Sequence, residues 1–262
     1  MEEPMGNAML VSALTIGAVM VFTWIISLMV HNASIVDIVW GAGFAINSWV
    51  LAATIDGDSG RQILVAALVG VWGMRLAGYL AKRNIGHGED WRYVAMRKKQ
   101  GSRFPVMSLI TVFGLQGVLM WIVSLPVMFA NADSTPGVGP IAVMGIMVWI
   151  VGFGFEAVGD MQLARFKKNP DNQGKVMDQG LWSLTRHPNY FGDALLWWGI
   201  GIVAAETGSG VIGFIGPVVM TFLLMRVSGV PILEKSLQRR REGYAEYVAK
   251  TSGFIPRPPK KI

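Results

Sequence analysis

Seven stretches of this 262-residue chain stay apolar for about 20 residues each, the length that crosses a bilayer. They are Ala8–Val30, Ala33–Ile55, Gln62–Ala81, Val106–Ala130, Gly139–Leu163, Pro188–Ala205 and Val211–Val230. Hydrocarbon offers a backbone no hydrogen-bond partner, so a single crossing segment has to be a helix. The expected fold class is therefore an all-α integral membrane protein with seven transmembrane helices. One domain is expected over residues 1–262, with 234–262 as a tail closing the mouth of a site. Only 15% of the residues are charged, against about 25% in soluble domains.

The charges fix an expected orientation. Lys82–Arg103, Arg165–Arg186 and Glu234–Ile262 carry twenty of the 23 Lys and Arg residues. With seven crossings all three segments fall on one side, which the positive-inside tendency makes cytoplasmic. The N-terminus is then outside and the C-terminus cytoplasmic, in a bacterial inner membrane. This accounts for most of the net charge of +6 and excludes nucleic acid as the partner. The opening MEEPMGNAML lacks the basic start of a signal peptide, so the first span is expected to stay. There is no cysteine, which excludes disulfides and thiolate sites, and His31, His87 and His187 are too scattered for a metal centre.

Ionisable groups inside spans are costly and mark function by default. Asp37 sits in span two with Trp40 and Gly41 on its face, and Arg75 in span three with Trp72 and Tyr79 on its own. Arg75 either snorkels to the basic loop or joins a polar stripe; Arg226, a turn from the cytoplasmic end, snorkels. Glu156 and Asp160 share a face of span five and repel unless something donates to them, a loop cation or a ligand. In TRHPNYFGD, Pro188 suits a first helical turn, and Asn189 and Asp193 share a face. A polar first turn explains Arg186 and Asn189 but not Asp193. The free N–H groups at that helix start, beside Arg186 and His187, suit a phosphate. Tyr244 and Tyr247, with Phe254 and Ile255, suggest an interfacial helix near the mouth.

These motifs carry a resemblance. SIVDIVWGAGF, WGMRLAGYLAKRN with GEDWRY, and EAVGDMQLARFKKNPDNQGKVMDQGLWSLTRHPNYFGD together resemble the steroid 5α-reductase family over essentially the whole chain. HPNYFGD is also similar to the sterol C14 and Δ7 reductases. The resemblance implies NADPH inside the bundle, held by Arg75, Glu156, Asp160, Lys167, Lys175, Arg186, His187, Asn189, Tyr190, Asp193 and Tyr247. It implies Asp37, Trp72, Tyr79 and Asp193 as the catalytic group. Glu156 stands where the family often has Asn, Lys167 and Lys175 replace arginines, and Trp72 stands where a Tyr is expected. Eukaryotic members use a Gln–Glu pair and a Tyr near the steroid 3-ketone.

The implied reaction is reduction of the C4=C5 bond of a 3-oxo-Δ4-steroid, or of a related lipophilic enone, by hydride transfer to the β-carbon. Asp37 is expected to polarise the ketone. The partners are that substrate and membrane lipid, and the protein is expected to be a monomer. The alternative is an S-adenosylmethionine-dependent membrane methyltransferase of the isoprenylcysteine carboxyl methyltransferase type, because RHPxY alone occurs there too. No GxGxxG element follows a strand, so a dinucleotide site here is not of Rossmann type.

Overall fold

The structure, a computed structural model, describes residues 2–227, 229, 230, 234, 237, 241 and 243–260. Four cations of the expected tail, Lys235, Arg239, Arg240 and Lys261, lie outside the described residues, as does Ser228 of span seven. Among the described residues the regular elements are helical, with one isolated parallel bridge from Thr185 to Ser252.

Six helices are long and apolar enough to cross a membrane. They are α1 (Glu2–Met29), α2 (Ile35–Thr54), α3 (Ser59–Asn84), α4 (Trp91–Val123), α6 (Pro140–Lys168) and α9 (Gly208–Val227). Between and after them lie α5 (Leu125–Ala132), α7 (Leu181–Leu184), α8 (Pro188–Ala205) and α10 (Tyr244–Lys250). The chain is thus an integral membrane protein. The sixth expected window forms α8 residue for residue, yet α8 is not among the six. Asn189 and Asp193 in its first two turns dilute its apolar run.

Span four also differs from expectation. It was placed at Val106–Ala130, but the helical run begins at Trp91 and stops at Val123. Pro126 has no N–H and its ring clashes with the carbonyl four residues back. The chain therefore turns at Ser124 and restarts as α5, in which Leu125 through Asn131 are all buried. Within α4, Gly101 (φ 56) closes the basic first segment Trp91–Gln100, a backbone conformation that costs glycine little.

The chain clusters into two compact units. Unit 1 is Met1–Gly139 with Ala204–Ile215, and unit 2 is Pro140–Val203 with Gly216–Ile262. In unit 1, α2 crosses α3 at Gly41 and Gly73. A Cβ on Gly41 would stand 2.5 Å from the Gly73 carbonyl oxygen, and one on Gly73 2.3 Å from that of Gly41. Trp40, Phe44 and Trp72 pack edge to face beside this crossing.

In unit 2 the crossing of α6 and α8 is built on two runs of glycines seven residues apart. Gly145 meets Gly199 and Val203, Gly152 meets Gly192 and Leu196, and Gly159 meets Pro188 and Asn189. Seven residues are close to two helical turns, so each run keeps one face. Small residues let two backbones touch where lipid supplies no hydrophobic drive for association. This contact brings the polar turns of α6 and α8 together.

Candidate functional site

In unit 2, the Asn189 amide donates from Nδ2 to Asp160 Oδ1 at 3.0 Å, joining α8 to α6. Its Oδ1 accepts from the Tyr190 N–H at 3.1 Å. Glu156, Asp160 and Asp193 are 2%, 3% and 9% exposed. Three buried carboxyl groups in two apolar helices are a large electrostatic expense unless a partner or ligand neutralises them. The sequence placed Asn189 with Asp193 and Glu156 with Asp160; the structure joins the two pairs across one helix contact.

The approach to α8 is clamped by residues far along the chain. Arg186 donates from Nε to Glu234 Oε1 at 2.7 Å, and from Nη1 to the carbonyls of Thr251 (2.8 Å) and Val248 (3.3 Å). His187 Nε2 lies 3.1 Å from the same Glu234 oxygen, and its ring stacks on Tyr190. Burial pushes the Glu234 carboxyl up, but the bonds from His187 and Arg186 outweigh it and hold the group at about 2. Thr185 Oγ1 donates to the Phe254 carbonyl, and Tyr247 Oη to the Trp182 carbonyl at 2.6 Å. Tyr244 and Tyr247 are 2% and 7% exposed, so α10 docks onto protein instead of lying on lipid. Burial raises the phenol of Tyr247 well above its ordinary range, and that of Tyr244 to about 12. Arg186, expected at a phosphate, spends its guanidinium on this clamp.

Beside the clamp an open cleft of about 580 Å³ is lined by Lys175, Asn172, Gln179, Ser183, Tyr247 and Lys250, among others. A smaller hollow of about 320 Å³ adjoins Lys167, Lys168 and Arg241. Lys167, exposed, therefore borders a concave basic surface, whereas Lys175, also exposed, shares its cleft with Asp178 and Glu246 as well as Lys250.

Unit 1 holds a second constellation. Asp37 accepts from Arg92 Nη2 on Oδ2 and from the Tyr93 hydroxyl on Oδ1, each at 2.7 Å. Gln116 Nε2 donates to the Tyr93 hydroxyl at 3.3 Å. An acid, a phenol and an amide thus meet from α2 and two parts of α4. Nearby, the Glu89 carboxylate accepts from Arg97 and from the Ala33 N–H, tying the turn before α2 to the loop before α4. Burial pushes Glu89 up, while Arg97 and that N–H pull it below its ordinary value. Trp72 is fully buried against Phe44, and Arg75 and Tyr79 are half-buried on α3. Tyr93, Gln116 and Glu234 were not singled out in the sequence. Their partners lie 56, 23 and 48 residues away, beyond any helical periodicity.

A family profile described as "Protein of unknown function (DUF1295)" matches residues 23–251. Over 69 residues the chain is 41% identical to a protein of Ustilaginoidea virens named "Probable O-methyltransferase ustE". The match covers 26% of this chain and 24% of that protein, so the chain spans about a quarter of the length of this curated relative. No solved structure matches. Because the profile spans most of the sequence, including α2 through α10, the chain belongs to the DUF1295 family.

Proposed function

We propose that this protein is an NADPH-dependent reductase of the steroid 5α-reductase type, acting on the conjugated C=C of a 3-oxo-Δ4-steroid or related enone lipid. In this reading α8 is a seventh span, the N-terminus is outside, and the site opens to the cytoplasm. The observation that carries the reading is the Asn189–Asp160 bond beside the buried carboxyls Glu156 and Asp193. Such acceptors suit the amide and hydroxyl donors of a nicotinamide nucleotide. The basic hollow at Lys167 suits its phosphates, the lysine acting as a point charge and not as a bidentate fork; Lys175 would add a second point charge from a cleft it shares with Asp178 and Glu246. When bound, NADPH supplies the hydride; the protein supplies orientation and electrostatics.

Unit 1, taken by itself, holds a second polar constellation. Asp37, Tyr93 and Gln116 are the kinds of group that the resemblance assigns to the ketone; the single hydroxyl proton of Tyr93, given to Asp37 here, would turn to the substrate oxygen when a ketone binds. Arg92 balances the Asp37 charge, and Asp37 orients the phenol. A donor held at a carbonyl oxygen stabilises the enolate that forms as the β-carbon is reduced. This moves the polarising role from Asp37, which accepts both of its bonds here, to Tyr93.

A second reading has one observation of its own. The 69-residue match to a probable O-methyltransferase favours S-adenosylmethionine as the cofactor and methyl transfer as the reaction. Purified protein incubated with progesterone and C4-deuterated NADPH separates the two. The expected product is the saturated 5α-ketone with deuterium at C5. A methylated product from S-adenosylmethionine, or an alcohol from carbonyl reduction, overturns the reductase reading.

A further inference from the structure

The interior of unit 1 contains a polar layer that the proposed reaction does not use. The buried stripe of α1 is Ala8, Ser12, Ile16 and Met20, spaced four apart. Met20 and Ile16 face Gly117 of α4, where a Cβ would stand 3.3 and 3.7 Å from their carbons. Further along α4, the Trp121 indole donates to the Met9 carbonyl at 3.1 Å. α1 therefore runs antiparallel to α4, and Ser12 comes level with the end of α4 near Ser124. On α2, a Cβ on Gly43 would stand 2.8 Å from the Met120 methyl and 3.7 Å from Val19. One turn beyond Gly43 and Met120 come Asn47 and Ser124. The layer above the Gly43–Met120 contact is thus Ser12, Asn47 and Ser124.

All three are 0% exposed. Among the described residues, neither atom of the Asn47 amide and neither hydroxyl of Ser12 and Ser124 has a hydrogen-bond partner. A hydroxyl in a membrane helix ordinarily bonds to the carbonyl four residues back. Thr23, Thr54 and Thr111 do so here. Ser12 and Ser124 do not. The turn at Ser124 adds a further demand, because Pro126 returns no N–H to the end of α4.

We propose that this layer is a built site for ordered water, about one or two molecules bridging the Asn47 amide to the hydroxyls of Ser12 and Ser124. Water both donates and accepts, as an amide and hydroxyls require. Among the described residues no acidic or histidine cluster offers a counter-charge to a metal ion. The bridge pins the turn at Ser124 to α1 and α2 and so fixes where α5 begins. The inference is independent of the proposed reaction.

Hydroxyl-radical footprinting by pulsed X-rays with mass spectrometry tests it, because radicals form from water held in place. Met120 is fully buried yet borders the layer, while Trp91, 62% exposed, reports bulk solvent. The native protein should oxidise at Met120 within the pulse series that labels Trp91. Ser124→Ala with Asn47→Leu should abolish the Met120 product and leave Trp91 labelling unchanged. An unlabelled Met120 in the native protein overturns the proposal, with no variant needed. So does a double variant that keeps native labelling at Trp91 and still oxidises Met120 at the native rate.

Discussion

Gly152→Ala and Gly154→Ala differ by two positions on α6, yet they should act in opposite directions. A Cβ on Gly152 would stand 2.4 Å from the Leu196 nitrogen and 2.8 Å from the Gly192 oxygen, whereas one on Gly154 meets nothing within 4 Å. Ordinary contact begins at 3.4 Å, so α6 and α8 would have to part by about 1 Å. The atoms in the way are backbone and cannot swing aside. Overpacking of this kind costs about 1–3 kcal/mol. Alanine's better helix propensity returns about 0.5–1 kcal/mol, which leaves Gly152→Ala destabilised and Gly154→Ala slightly stabilised. For a chain of this size about 2 kcal/mol corresponds to roughly 4–8 °C in Tm. The same displacement would stretch the 3.0 Å Asn189–Asp160 bond past hydrogen-bonding range, so turnover should fall with stability. Melting in detergent, followed by tryptophan emission, and NADPH oxidation measure both. If Gly152→Ala melts and turns over like Gly154→Ala, the helices do not touch there and the packing argument is wrong.

Tyr93→Phe should lower kcat by about 10²–10³ with little change in KM for NADPH, if the phenol is the donor to the ketone; steady-state kinetics read both constants. Asn189→Ala should weaken NADPH binding while the variant still folds, since the amide is only half-buried; dye-monitored melting and titration of cofactor fluorescence distinguish the effects. Lys175→Ala should raise KM for NADPH more than for NADH, by about tenfold, the cost of one charge-assisted bond. The Glu234 clamp has a depressed carboxyl, so its contribution is complete above the ordinary 4.5 and is lost as pH falls from there through about 2. Partial exposure screens it to about 1–2 kcal/mol. Proteolysis near α10 should accelerate over that acid range, and in Glu234→Gln it should be fast at every pH.

The helices were legible because lipid leaves an apolar run of about 20 residues no other backbone option. Their ends were less so. Pro126 stood inside an expected span and its stop signal was outweighed by the apolar residues around it. Within each helix the site could be read from periodicity, which paired Glu156 with Asp160 and Asn189 with Asp193. What periodicity cannot supply is the partner on another helix. On the face of Asp37 periodicity shows only Trp40 and Gly41; Arg92 and Tyr93 arrive from α4. Arg186 was read beside a phosphate because Glu234 and the carbonyl of Thr251 are remote in sequence. The glycines of α6 and α8 stand at sevenfold spacing in the sequence, but only the contact itself reveals them as a seam.

The clamp on α8 also has a clock. Arg186 bonds to the carbonyl of Thr251, 65 residues further on. A ribosome adds roughly 5–20 residues per second, so those partners are synthesised about 3–13 s after the arginine they satisfy. During that interval α8 can enter the membrane, but its approach lacks the groups that hold it. Any insertion machinery handling this chain must therefore accept a buried-to-be arginine whose counter-ion and carbonyls are not yet made. A stalled chain that stops before Thr251 should expose the Thr185–His187 segment to protease, whereas the finished chain does not.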